Sequence, residues 1–82
     1  MAMQFLDDLR HWQSTNAKIA KKVLDQVDEI MRSTRVGTGK PKTLTGNLKG
    51  KQSRRLTEKD RLVYEVKDET VEFLSCRFHY DD

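Results

Sequence analysis

The spacing of apolar residues changes midway along the chain, and that change limits the folds open to it. Phe5, Leu6, Leu9 and Trp12, then Ile19, Ala20, Val23, Leu24, Val27, Ile30 and Met31, recur at the three-to-four-residue spacing of a helical face. Downstream, Leu62, Tyr64 and Val66 alternate with Arg61, Val63 and Glu65, the period of a strand. Ser14, Thr15 and Asn16 interrupt the helical pattern with side chains suited to cap a helix start. The first half therefore divides into a short helix and a second of about four turns. Val36-Gly37-Thr38-Gly39-Lys40-Pro41 breaks the pattern and reads as a loop. It is not a Walker phosphate loop, because Lys40 is followed by Pro41 instead of Ser or Thr.

Strand character follows at Thr43 to Thr45, Gln52 to Thr57, Arg61 to Lys67 and Thr70 to Phe78, with a hairpin turn at Lys67-Asp68-Glu69. Helices first and consecutive strands afterwards give an α+β domain, an N-terminal helical hairpin packed on one face of a small antiparallel β-sheet. Trp12 is expected to anchor the apolar side of the hairpin. A chain of 82 residues has no room for a second core, so residues 1–82 form a single domain.

Charge is segregated. From Arg32 to Arg61 there are ten lysines and arginines against two acids, a local charge of +8; since the whole chain carries +3, the remainder carries −5. A positive stretch of this kind suits a phosphate backbone, and a solvated basic face accounts for the charge equally well. Cys76, the single cysteine, lies in an apolar run and reads as a small buried hydrophobe in a reducing, cytoplasmic setting. Asp7 and Asp8 interrupt the N-terminus before an apolar stretch develops, which excludes a signal peptide. No run approaches the roughly 20 apolar residues of a membrane span, so no membrane partner is expected.

The run GxGKPxxLxGNLxGxxSRRLTxxxRLVYEV from Gly37 to Val66, the terminal CRFHY from Cys76 to Tyr80, and WQSTNAKIAKKV from Trp12 to Val23 resemble the YoeB/Txe branch of the RelE toxin superfamily. The similarity extends from Leu6 to Tyr80. It implies a toxin of a type II toxin–antitoxin system that cuts messenger RNA in the ribosomal A site, using the ribose 2′-OH as nucleophile and no metal or cofactor. The implied partners are a cognate antitoxin of the YefM/Axe kind and the ribosome. By the same resemblance Arg61 is the catalytic arginine, and Arg55, the second arginine of SRR, binds phosphate. Arg54, Lys40, Lys49 and Lys51 complete the expected RNA-binding set. A planar guanidinium suits a phosphorane-like transition state because it donates in a bidentate, preorganised way. His79 titrates near neutral pH and is expected to protonate the leaving 5′-oxygen. Tyr80 is expected to stack on a base or bond the phosphate. His11 matches no role and reads as a surface residue.

Several positions depart from the family pattern. Lys42 stands where the family's GKPE places a glutamate that acts as general base; a lysine serves as a base only if its pKa is depressed, so Lys42 marks either a lysine base or a weakened enzyme. Lys51-Gln52 replaces an aromatic pair, which removes one expected RNA contact. Asp60 replaces a common histidine and is expected to hold the Arg61 guanidinium or blunt its field. Relatives begin with a strand, whereas only Met1 to Gln4 precede the first helix here. One strand is therefore expected to be lacking, with lower stability and a tendency to dimerise or to lean on the antitoxin. A rival reading is a catalytically weakened homologue that binds RNA or the ribosome, or sequesters antitoxin, without cutting.

Overall fold

The computed structural model describes residues 1–32, 42–43, 51–67 and 70–78. Helix α1 spans Met3–Thr15 and α2 spans Ala17–Arg32. Asn16 separates them in an extended conformation, and its side-chain oxygen accepts from the Ile19 amide at 3.4 Å while its carbonyl caps Ile19 and Ala20. The cap expected from Ser14, Thr15 and Asn16 thus falls on the asparagine. The four strands are β1 (Lys42–Thr43), β2 (Lys51–Arg55), β3 (Arg61–Lys67) and β4 (Thr70–Ser75). They form one antiparallel sheet in the order β1-β2-β3-β4, each strand beside the one that precedes it in sequence. This is the expected α+β architecture.

β3 spans the expected Arg61–Lys67, whereas β2 and β4 end earlier than their sequence patterns. β2 ends at Arg55 because Leu56 and Thr57 turn, both amides donating to the Asp60 carbonyl. β4 ends at Ser75, after a register shift opposite Val63 and Tyr64. The residues beyond it, Cys76 to Phe78, leave the sheet to bond with α1 and with the start of β3.

Leu62 and Tyr64 of β3 and Phe73 of β4 meet Phe5 and Trp12 of α1 and Ala20, Val23 and Ile30 of α2 in one buried cluster. Phe73 sits between two rings, 5.5 Å from Phe5 and 6.2 Å from Tyr64 centroid to centroid. Burying each of these large side chains contributes on the order of 1.5–3 kcal/mol. Trp12 anchors the hairpin as expected, and its indole Nε1 also donates to the Cys76 carbonyl at 2.7 Å.

No strand precedes α1 among the described residues, yet the residues before it are engaged. The Ala2 amide donates to the Phe73 carbonyl at 2.9 Å, and the Met1 ammonium lies 3.5 Å from Glu72. One rung of the β4 edge is therefore occupied from within the chain. Among the described residues no helix is long and apolar enough to cross a membrane.

Polar residues also dock the layers. Lys22, Gln26 and Glu29, spaced along one face of α2, reach the Leu56 carbonyl (3.1 Å), the Arg55 carbonyl (3.0 Å) and the Arg54 guanidinium (3.1 Å). Asp8 is buried on α1, where it accepts from the Cys76 amide at 3.0 Å and from Gln4 at 2.6 Å. These contacts are invisible to hydrophobic periodicity, which treats such side chains as solvent-facing.

Candidate functional site

Strand register sorts the basic residues between the two faces of the sheet. Arg54 pairs with Leu62 and Gln52 with Tyr64, on the helix-facing side. Ser53, Arg55 and Lys51 pair with Val63, Arg61 and Glu65, and so stand on the opposite side. Arg55 is exposed and Arg61 half-buried, and they are direct cross-strand partners. The Arg61 Nε donates to the buried Ser53 hydroxyl at 2.8 Å, which fixes the guanidinium over the sheet instead of leaving it free to sweep solvent. On the far side of β2, position 42 pairs with Ser53. Lys42, Ser53 and Val63 thus occupy successive strands in one row, with Arg55 and Arg61 two residues along.

Arg55 and Arg61, directly opposite each other on neighbouring strands, place two guanidiniums where the oxygens of one phosphate could be gripped by both. Beside them Lys51 lies 3.6 Å from Glu65, so its charge is partly answered within the protein.

Arg54 corrects an expectation. Expected to contact phosphate, it is fully buried and its Nη1 lies 3.1 Å from the Glu29 carboxylate. Adjacent residues on a strand point to opposite faces, so of the two arginines in SRR only Arg55 can meet a ligand on the open side. Gln52, at the site of the missing aromatic pair, also faces the helices and accepts from the Tyr64 hydroxyl at 3.0 Å.

Asp60 departs from expectation as well. Its buried carboxylate is turned to Thr57 Oγ1, which donates to Oδ2 at 2.8 Å, and to the Phe78 amide, which donates to Oδ1 at 2.6 Å. The neighbouring Arg61 amide donates to the Phe78 carbonyl at 2.9 Å. Phe78 is held with φ of 65°, a left-handed conformation unusual for a residue bearing a β-carbon. His11 is half-buried, its ring edge-on to Trp12 at 4.9 Å, at the rim of a groove of about 320 Å³ shared with Lys59, Asp60, Arg77 and Phe78. It is less of a surface residue than its isolation in the sequence suggests.

Of the remaining expected site residues, Lys40, Lys49, His79 and Tyr80 lie outside the described residues, and Lys42 is described in its strand pairing alone. Cys76 is fully buried, as its apolar setting predicts. Burial, reinforced by the negative charges of Asp8 and Asp60, pushes its thiol from 9.0 up to about 12, so it is no nucleophile at neutral pH. Among the described residues no group of three or more His, Cys, Asp and Glu is placed to hold a metal.

A helical hairpin on an antiparallel meander, with Arg55 and Arg61 on the face turned away from the helices, defines the RelE-like class of small α+β toxins. A family described as the YoeB-like toxin of bacterial type II toxin–antitoxin systems matches residues 1–80. Toxin YoeB of Escherichia coli K12 is 43% identical over 74 residues, which are 90% of this chain and 88% of that one. Among solved structures, a YoeB/ParE toxin from Agrobacterium tumefaciens superposes with a TM-score of 0.90 at 37% identity, covering 96% of this chain and 94% of the other. Staphylococcus aureus YoeB matches with a TM-score of 0.85 both in a YoeB–YefM complex, at 38% identity, and as a YoeB dimer, at 36%; each match covers 96% of this chain and 92% of the other. The chain belongs to the YoeB family of toxins within the RelE superfamily.

Proposed function

We propose that this toxin is a metal-independent endoribonuclease that cuts messenger RNA in the ribosomal A site and so halts translation. The observation that carries the reading is the opposed pair Arg55 and Arg61 on the open face, with Arg61 oriented by Ser53. In this mechanism the ribose 2′-oxygen attacks the adjacent phosphorus, the bond to the 5′-oxygen breaks, and a 2′,3′-cyclic phosphate and a 5′-hydroxyl result. Arg61 stabilises the charge that gathers on the phosphorane, and Arg55 holds the phosphate oxygens. His79 donates a proton to the departing 5′-oxygen, and Tyr80 stacks on a base. Lys42, opposite Ser53 in the register, takes the 2′-hydroxyl proton or adds positive charge beside it. Lys40, Lys49 and Lys51 contribute to the field that draws RNA in.

An antitoxin of the YefM kind is the proposed partner, in keeping with the complex solved for the S. aureus relative, and the dimer solved for that relative supports self-association here. The cytoplasm, where ribosomes and antitoxin meet the chain, is the proposed location.

The test is single-turnover cleavage on ribosomes programmed with a defined A-site codon, with 5′-end mapping. The parent is expected to give codon-phased cuts that disappear in Arg61→Ala and His79→Ala. Arrest of translation without cuts overturns the nuclease reading in favour of a binding toxin. A Lys42→Ala variant as fast as the parent, alongside a much faster Lys42→Glu, rules out lysine as the base.

A further inference from the structure

Residues 56 to 60 form a turn closed on itself. The Leu56 and Thr57 amides both donate to the Asp60 carbonyl, at 2.9 and 3.1 Å, and the Asp60 and Lys59 amides donate back to Thr57 Oγ1 at 3.0 and 3.2 Å. The same hydroxyl donates to Asp60 Oδ2 at 2.8 Å. Asp60 is therefore fixed at its amide, its carbonyl and one carboxylate oxygen before its other oxygen meets anything else. That second oxygen accepts the Phe78 amide at 2.6 Å, and the next residue along β3, Arg61, donates its amide to the Phe78 carbonyl at 2.9 Å.

Consecutive residues thus grip both peptide groups flanking the Phe78 Cα. The grip maintains a left-handed φ of 65°, a conformation disfavoured for a residue that bears a β-carbon. Among the described residues its ring partner is Arg77, stacked at 4.7 Å, and Phe78 is otherwise 62% exposed. With Asp60 unable to accept, the strained conformer loses its charge-assisted hydrogen bond and φ relaxes to ordinary negative values. The peptide leading onward then swings, and the chain leaves Phe78 in another direction. His79 is the next residue in the sequence.

We infer that Asp60 is a positioning residue for the C-terminal His79-Tyr80 pair, acting through the Phe78 amide and setting the direction in which the chain leaves Arg61. This rests on the nuclease reading above. The role requires a hydrogen-bond acceptor at Oδ1 and not a charge, so asparagine should replace Asp60 and alanine should not. Asparagine keeps a carbonyl oxygen for the Phe78 amide and gives up only the Thr57 hydroxyl's bond to Oδ2, since that hydroxyl already accepts from the Lys59 and Asp60 amides.

The experiment compares the parent, Asp60→Asn and Asp60→Ala by single-turnover cleavage on programmed ribosomes at saturating toxin, by ribosome affinity, and by hydrogen exchange of the Phe78 amide in the free protein. Asp60→Ala is expected to cut about 100-fold more slowly, the scale of a misplaced catalytic group. Its ribosome affinity should be unchanged and its Phe78 amide should lose protection. Asp60→Asn should recover both rate and protection to within a few-fold of the parent. The inference is overturned if Asp60→Ala cuts as fast as the parent, if Asp60→Asn falls as far as Asp60→Ala, or if the Phe78 amide stays protected in Asp60→Ala. A parent that does not cut at all sinks the nuclease reading, and with it Asp60's part in the reaction, whereas the exchange data still decide whether Asp60 holds the tail.

Discussion

Arg54 and Arg55 are neighbours in the sequence with opposite fates in the fold. Arg54 points to the helices, is fully buried and is neutralised by Glu29, whereas Arg55 points to the open face, is exposed and stands across from Arg61. One half of the molecule uses polar groups to fasten layers together, and the proposed function assigns those of the other to RNA. Substitutions on the helix side should therefore register in stability, and those on the open face in RNA chemistry.

The largest separation is expected at Arg61. Arg61→Ala should lower single-turnover cleavage by about 10³-fold, equivalent to roughly 4 kcal/mol of transition-state stabilisation, while the melting temperature moves by only a few degrees. A comparable loss of melting temperature would mean that Arg61 serves the fold. On the other face, Glu29→Ala leaves the buried Arg54 guanidinium without its carboxylate and should destabilise the protein by about 3 kcal/mol, read from the denaturant midpoint. Arg54→Met should cost much less, because it removes the fully buried charge and leaves the partly exposed Glu29 carboxylate within reach of solvent. If Arg54→Met instead weakens RNA binding while stability holds, the division between the faces fails.

Cys76 tests the helix side through pH. Its thiol is raised from 9.0 to about 12 in the fold, so the unfolded chain ionises first. The stability tied to the neutral thiol is complete below pH 9 and drains away as pH climbs toward 12. Denaturant midpoints measured across that range should fall more steeply in the parent than in Cys76→Ala, and native protein at pH 7 should resist alkylation of the thiol. Rapid alkylation would show that the α1 packing over Cys76 opens readily. The smallest effect is expected at Arg55. Arg55→Ala should change stability by less than about 0.5 kcal/mol. It should also lower the slope of log affinity for RNA against log salt by about one phosphate contact.

Much of this division was legible in the residues. Helical spacing up to Met31 and alternation from Arg61 to Val66 located the layers, and Trp12 and Cys76 were read correctly as core. The family motif selected Arg55 and Arg61, which the register sets opposite each other. What periodicity could not supply was the meaning of polar residues in buried places. Asp8, Gln26 and Glu29 interrupt helical faces as solvent-facing residues would, and their partners lie 68, 29 and 25 positions away in sequence. Arg54 was misread because a basic cluster was treated as one surface, although a strand sends alternate members of such a cluster to opposite sides. Asp60 was expected to serve Arg61 through its side chain, and the contact with the Phe78 amide depends on a tail conformation that no pattern encodes.

The fastening of Cys76 to α1 bears on when the protein can become itself. The Trp12 indole, the Asp8 carboxylate and the Phe5 carbonyl all close onto residue 76, across 64, 68 and 71 positions of sequence. Such distant contacts form late, since the loop must be complete before either end gains from closure. During synthesis at about 5–20 residues per second, both helices can coil as they emerge, but α1 cannot be seated until residue 76 has followed. Until then α1 lacks the contacts that seat it, so the fold closes only once both halves of the chain are available.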